Sequence, residues 1–264
     1  MVLKVKYHIP QALVTGQEKK AESTYLLSFH APEIAKDAQP GQFVHIKTIE
    51  AYDPLLRRPI SICYVDREKG LVVLWYQVVG KGTKLLSSLK TGDSIDVIGP
   101  LGRGFDTAIS GEKIYLIGGG IGIAPLIFLA QSLKEENNIT AFFGGKNKEQ
   151  LLPVNQLTSI NCELATEDGS IGHQGFVTDL LLRRLALEKP ARAYACGPNG
   201  MLEQTALITR KHNLPLQVSL ESVMACGVGA CLGCTCEKGS SGEEGWVKVC
   251  KEGPVFWEDE VKLL

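Results

Sequence analysis

Four cysteines near the carboxyl end constrain this chain more than any other feature. Cys226, Cys231 and Cys234 are spaced C-x4-C-x2-C, and Cys250 follows after a polar stretch. That is the plant-type ligand spacing for a [2Fe–2S] cluster. Of the eight cysteines in the chain, five fall in this stretch. Gly227, Gly229 and Gly233 lie between the ligands, and the expectation is that all three take left-handed or crowded backbone positions that a Cβ forbids. The loop amides then turn toward the sulfurs and raise the reduction potential. Two other readings compete. A disulfide cluster asks for an oxidising compartment, and nothing at the amino end looks like a secretory leader. A structural zinc prefers paired C-x2-C knuckles, and only one such pair occurs here. Cys236 is a spare thiol, a ligand only if Cys234 is not.

The 264 residues suffice for one large or two ordinary domains. A formal net charge of -1 implies no basic face, which argues against nucleic acid as the main partner. No apolar run reaches bilayer length, so no membrane partner is expected. Met1 to Lys6 alternates like a strand and has no signal-peptide core, so a cytoplasmic protein is expected.

Residues 1–108 read as an antiparallel β-barrel or sandwich. Short period-two runs cover Tyr25–Phe29, Gln42–Ile46, Pro59–Ile62, Leu71–Trp75 and Ser94–Ile98, with Gly, Pro and Asp breaks between them. One helix is expected over Thr83–Leu89, with Thr83 as N-cap. Arg57 and Arg58 feed into Pro59-Ile60-Ser61, a pattern suited to a phosphate through the guanidinium fork and a hydroxyl. Trp75-Tyr76-Gln77 ends a strand. Gly80-Lys81-Gly82-Thr83 opens a helix whose amides suit a pyrophosphate. Each stretch alone also fits an ordinary barrel.

Residues 109–223 change period. Apolar strands at Lys113–Ile117, Thr140–Gly144, Cys162–Thr166, Ala191–Cys196 and Leu216–Leu220 alternate with helical stretches. These are an amphipathic helix to about Glu136, a short one near Lys148–Leu152, and helices over Phe176–Leu187 and Asn199–His212. This alternation predicts a doubly wound parallel α/β sheet with its ligand at the carboxyl strand edge. Gly118, Gly119, Gly120 and Gly122 sit on that edge, where amides can meet a diphosphate. Cys196-Gly197-Pro198 ends another strand at the same edge, leaving room for a flat ring or marking a plain turn. Thr166 to Gly169 fits a ribose contact or simply a turn, and the turn is preferred. Residues 224–264 form the cluster-binding segment.

In this order the parts resemble the ferredoxin–NADP reductase superfamily. Arg58-Pro59-Ile60-Ser61 occupies the flavin-motif place, Gly118 to Pro125 the pyridine-nucleotide loop, and Cys196-Gly197-Pro198 the motif beside the nicotinamide. With its tail, the whole chain resembles the electron-transfer subunits of dihydroorotate dehydrogenase B. Leu55 to Ile62, Gly118 to Gly122, Cys226 to Cys231, and Val249-Cys250 leading to Gly253-Pro254-Val255-Phe256 carry that likeness. The resemblance implies FAD contacts at Arg58, Pro59, Ile60, Ser61, Trp75, Tyr76, Gln77, Gly82 and Thr83. It implies NAD contacts at the glycine run with Gly197 and Pro198, and [2Fe–2S] ligands at Cys226, Cys231, Cys234 and Cys250. Two positions depart from the wider superfamily: Ile60 stands where a Tyr precedes the Ser, and Gln77 where relatives often carry an Arg.

The resemblance also implies a function. An FMN-containing dihydroorotate dehydrogenase catalytic subunit, paired as a heterotetramer of two of each, passes electrons through [2Fe–2S] and FAD to NAD+ in pyrimidine synthesis. Cys196 then positions the nicotinamide, and no side-chain acid or base is needed for hydride transfer. Val228 and Leu232 are the expected partner contacts. Alternatives are a relay in transhydrogenase, sulfur or hydrogen metabolism, and a zinc-bearing scaffold on a retired reductase fold.

Overall fold

A computed structural model describes residues 6–47, 53–157, 160–239 and 244–263. The strand-like run at the amino end falls outside them, apart from Lys6. Six antiparallel strands close a barrel: β1 (Tyr7–Lys19), β2 (Thr24–His30), β3 (Phe43–Lys47), β4 (Arg58–Asp66), β5 (Leu71–Gln77) and β6 (Ser94–Leu101), in the order β1-β2-β5-β4-β3-β6. A six-residue helix, α1 (Pro32–Asp37), joins β2 to β3. Alternation sends Val44, Ile46, Ile60, Ile62, Leu74 and Val97 into the barrel core. β1 escaped the sequence reading because its register shifts at Gly16, where a Cβ would meet Ser28 Oγ at 2.7 Å. The predicted helix begins earlier than expected, as α2 (Lys81–Leu86). Its N-cap is Gly80, not Thr83. Thr83 sits one turn in, and its Oγ1 accepts from the amides of Val79 (3.0 Å) and Gly80 (3.2 Å).

The second unit contains β7 (Lys113–Gly119), α3 (Ile123–Leu133), β8 (Asn138–Gly145), β9 (Asn161–Thr166), β10 (His173–Gln174), α4 (Val177–Leu185), β11 (Arg192–Cys196), α5 (Asn199–Lys211) and β12 (Leu216–Ser219). A 3-10 stretch over Lys148–Gln156 stands where a short helix was expected, and the Asn147 side chain caps it. These strands are parallel, and their order reverses between β7 and β11. A ligand crevice belongs at that reversal. α3 is not amphipathic. Ile123 to Ala130 are all buried, because the helix lies between the sheet and the barrel and sends Phe128 into the barrel core.

The cluster segment adds a hairpin, β13 (Thr235–Glu237) with β14 (Trp246–Lys248), and a final strand, β15 (Val255–Trp257). β15 pairs antiparallel with β12, Val218 opposite Phe256, and so completes the second unit's seven-stranded sheet. Cys234, Val249, Cys250 and Phe256 share one core with Phe43 and Leu101 of the barrel. The segment is therefore a wedge that buries apolar surface against both units. Among the described residues no helix is long and apolar enough to cross a membrane.

Candidate functional site: a thiol loop and a glycine-lined cleft

The thiol loop is shaped by backbone hydrogen bonds to sulfur. Cys226 Sγ accepts from the amides of Val228 (3.5 Å), Ala230 (3.3 Å) and Cys231 (3.4 Å). Cys250 Sγ accepts from Gly229 (3.1 Å), Cys231 Sγ from Gly233 (3.5 Å), and Cys234 Sγ from Cys250 (3.4 Å). All four predicted ligands thus face amide donors, which favours the thiolate form. Burial opposes ionisation of Cys226, but the amides of Val228, Cys231 and Ala230 and the Cys231 side chain outweigh it and bring the thiol down to about 6. Cys250 goes the other way: burial and the neighbouring Cys234 push it up to about 12.

Cys226 neighbours Cys231, and Cys234 neighbours Cys250, closely enough for each thiol to influence the other's ionisation. Among the described residues no three His, Cys, Asp or Glu side chains converge on a single-ion site. Two thiol pairs with surrounding amides fit a two-iron cluster, one pair for each iron. Cys236 lies outside this arrangement, and burial raises its thiol. Gly227 (φ +69°) and Gly229 (φ +81°) take left-handed turns as expected. Gly233 does not. The left-handed residue beside it is Leu232 (φ +61°), which is 61% exposed. A non-glycine residue holds such a φ only where its surroundings over-determine it, and here it lies between two ligands.

The second feature is a cleft of about 540 Å³ where barrel and sheet meet, walled by Trp75, Gln77, Gly119, Gly120 and Pro198 among others. Trp75 and Gln77 share one face of β5. Trp75 Nε1 is buried without a partner, an unmet donor at the wall of the cleft. Tyr76 turns the other way into the barrel, where Gln17 Nε2 donates to its hydroxyl at 2.8 Å and Tyr25 stacks on it. Ile60 likewise points into the barrel core, so Tyr76 and Ile60 present their backbones, not their side chains, to the outer face of their strands. Pro59 and Ser61 lie on the outer face of β4, both half-buried. Arg58 meets the start of α2, where a Cβ on Gly82 would overlap its guanidinium. Its Nη1 donates to the carbonyls of Leu56 and Arg57. A fixed cation against helix-opening amides suits the diphosphate of a flavin dinucleotide. Arg57 is occupied elsewhere. Its Nη2 binds Asp96 Oδ2 at 2.7 Å, and His8 takes the other Asp96 oxygen at 2.8 Å.

The glycines of the run differ in how closely they are packed. A Cβ on Gly118 would meet Phe143 at 2.7 Å, and one on Gly122 would meet the Cys196 carbonyl oxygen at 2.5 Å. Those two glycines let loop pack on strand and loop. Gly119 and Gly120 open to the cleft, Gly120 with φ +54° and nothing within 3.9 Å of a Cβ. Gly197 packs on Gly119 from the β11 side. Cys196 is buried at the end of β11, and burial, with nearby Glu221, pushes its thiol up to about 12. It is a neutral, unreactive thiol at neutral pH. Glu167 opens the turn after β9 and also lines the cleft.

Family models match nearly the whole chain in three parts. They are an oxidoreductase FAD-binding domain over residues 11–105, an oxidoreductase NAD-binding domain over 116–206, and the iron–sulfur cluster binding domain of dihydroorotate dehydrogenase B over 221–262. The chain is 44% identical over 239 residues to the dihydroorotate dehydrogenase B (NAD(+)) electron transfer subunit of Desulforamulus reducens, covering 89% of this chain and 91% of that one. The chain belongs to the dihydroorotate dehydrogenase B electron-transfer subunit family. The subunit of Geobacillus thermodenitrificans is 43% identical, covering 95% and 97% of the two chains. A solved NADH-dependent reduced ferredoxin-NADP oxidoreductase structure is similar at 34% identity, with a TM-score of 0.85 over 97% of this chain and 91% of that one.

Membership of the dihydroorotate dehydrogenase B electron-transfer family makes the chain an oxidoreductase subunit with FAD, [2Fe–2S] and NAD as its cofactors, working with a catalytic partner. Two site residues escaped the sequence reading. Glu221 follows β12 at the same strand edge and lines the cleft; its side chain opens to solvent there, yet surrounding protein raises its carboxyl. An acidic residue directly after a strand at the ligand edge was the available signal. His45 lies on β3 against Gly227 of the thiol loop. Nothing in a period-two run distinguishes it.

Proposed function

We propose that this chain takes electrons from a dihydroorotate-oxidising catalytic subunit that holds FMN, and delivers them as hydride to NAD+ in pyrimidine biosynthesis. One observation carries the reading. The four-thiol loop rests on the outer face of β3, and β3 pairs directly with β4, the strand of the flavin motif. Cluster site and flavin site share a wall. When bound, the cluster handles electrons singly and FAD matches them to the pair that nicotinamide accepts.

The chain's residues divide the work. Cys226, Cys231, Cys234 and Cys250 hold the irons, and the amides around them direct partial positive charge at sulfur. Arg58 and the start of α2, with Gly82 and Thr83, hold the flavin diphosphate; Pro59, Ser61, Trp75 and Gln77 flank the rest of that cofactor, with the backbone of Ile60 and Tyr76. Gly119, Gly120, Gly197 and Pro198 admit the nicotinamide nucleotide, and Gly118 and Gly122 keep the two loops in contact. Cys196 positions the ring. Glu167 offers a carboxylate to ribose hydroxyls and repels a 2′-phosphate, which supports NAD over NADP. Three working parts follow, residues 1–108, 109–223 and 224–264. Exposed Ala230, Cys231 and Leu232 offer the partner an apolar approach to the cluster; Val228 is half-buried against the core and contributes less. The assembly is a cytoplasmic heterotetramer of two of each subunit.

The test is co-purification with a FMN-containing subunit and dihydroorotate-dependent reduction of NAD+. A complex that carries both cofactors but is inert to dihydroorotate, and that exchanges hydride between NADH and NADPH, overturns it. That outcome favours the second reading, a transhydrogenase relay, which the likeness to the NADH-dependent reduced ferredoxin-NADP oxidoreductase structure supports.

A further inference from the structure

β3 is buried on both faces. Val44 and Ile46 point into the barrel, while Phe43 and His45 point outward beneath the cluster segment. Phe43 is an ordinary apolar seal there. His45 is not. Its side chain is fully buried, and neither ring nitrogen has a hydrogen-bond partner of good geometry. A buried polar group left in that state is destabilising, and an apolar residue of similar volume would avoid the cost.

The surroundings say what the imidazole does. On one side lies Gly227, left-handed at φ +69°, where a Cβ would overlap His45 Nδ1. The loop backbone therefore rests against the ring, one residue after the proposed ligand Cys226. On the other side is the flavin strand, with His45 opposite Pro59 in the β3–β4 register. The nearest acceptors are two carbonyls, those of Arg57 and Cys226. One belongs to the approach to the flavin motif and the other to a cluster ligand. A neutral imidazole has a single N–H and serves one of them at a time. The ring's own strand is well anchored: the Arg57 guanidinium reaches the His45 carbonyl while clamped to Asp96 on β6.

We propose that His45 is a positioning residue: its buried imidazole seats the Cys226–Cys231 loop on the flavin barrel and so fixes how closely the cluster approaches the flavin. The inference rests on the reading above only in requiring that the chain carry both cofactors. It does not depend on which partner supplies the electrons.

The test uses the purified holoprotein and NADH, which becomes NAD+ as it gives its hydride to the flavin. Rapid mixing records the rate of cluster reduction relative to flavin reduction, and electron paramagnetic resonance records the reduced cluster. His45→Leu, with FAD bound, is expected to change the resonance spectrum and lower the rate ratio at least about tenfold, the scale of a small misplacement. His45→Asn, which keeps an N–H donor, is expected to recover part of both. A His45→Leu protein with the wild-type spectrum and rate ratio overturns the proposal. If His45→Leu does not fold, Gly227→Ala presses on the same ring from the loop side and is judged by the same criteria; unchanged spectrum and ratio there also overturn it. Failure of the dihydroorotate assay with wild-type protein is a separate result and leaves this one standing.

Discussion

Cys226 gathers three amide donors on one sulfur, and Cys236, ten residues on in the same segment, lies outside the amide-bonded set of ligands. That contrast decides which thiols matter. Cys234→Ser is expected to lose the iron and the visible absorption of the cluster, while Cys236→Ser keeps both; iron analysis and an absorption spectrum of each variant check this. Cys196 is neutral and buried, so it acts by shape. Cys196→Ala is expected to retain FAD and lose about tenfold in NAD+ reduction, worth ~1.4 kcal/mol of barrier, and complete inactivity with FAD bound would contradict a positioning role. At this scale the cluster-binding segment was legible because cysteine spacing reports chemistry directly. The conformational detail was not. Gly233 looked like the residue a tight turn needs, and Leu232, between Cys231 and Cys234, takes the left-handed turn instead. Tyr76 follows Trp75 at a strand end, and strand alternation sends its side chain into the barrel.

Two elements hold the cofactor-facing loops. The first is the contact of the glycine run with the end of β11. Gly122→Ala would drive a methyl into the backbone of Cys196 and Gly197, at 2.5–2.6 Å. It is expected to destabilise the protein by about 1–3 kcal/mol, the range for overpacking, and to raise the KM for NAD+. Gly120→Ala meets no clash, its nearest neighbour being Gln150 Oε1 at 3.9 Å, and bears only the left-handed strain of φ +54°, about 1 kcal/mol. Thermal unfolding of the two variants separates clash from strain. The second is the Arg57–Asp96–His8 clasp, which ties β4, β6 and β1. Partial burial works against the Asp96 carboxylate, but its bonds to Arg57 and His8 prevail and lower its pKa. A lowered folded pKa means the stabilisation is complete above the unfolded value of about 3.9 and is lost as pH falls through the folded value. Asp96→Asn is expected to weaken the barrel at pH 7 and to flatten the acid limb of its stability curve, measured by denaturant unfolding at pH 7 and below pH 4. The sheet strands and helices of the second unit were readable from period and order. β1 was not, since a bulge at Gly16 breaks its alternation. The character of α3 was also hidden, since only the barrel packed on its far side explains why it is apolar all round.

On the scale of the whole molecule, the carboxyl segment joins everything. Its last strand completes the nucleotide-binding sheet, its core residues pack on the barrel, and its loop rests on the strand beside the flavin motif. The sequence marked this segment as a separate cluster-binding part, which its chemistry is. Its structural role depends on contacts with residues far away in the chain, such as Phe43 and Leu101, and no local pattern reports those. The amide-lined thiol loop is thereby a fixed member of the fold, and on the proposed function its cluster sits beside the flavin. Metal and flavin analysis of native protein prepared without oxygen tests that claim most directly. Two irons and one FAD per chain, with the combined absorption of both, are predicted. A colourless protein that holds one zinc per chain and no flavin would contradict it.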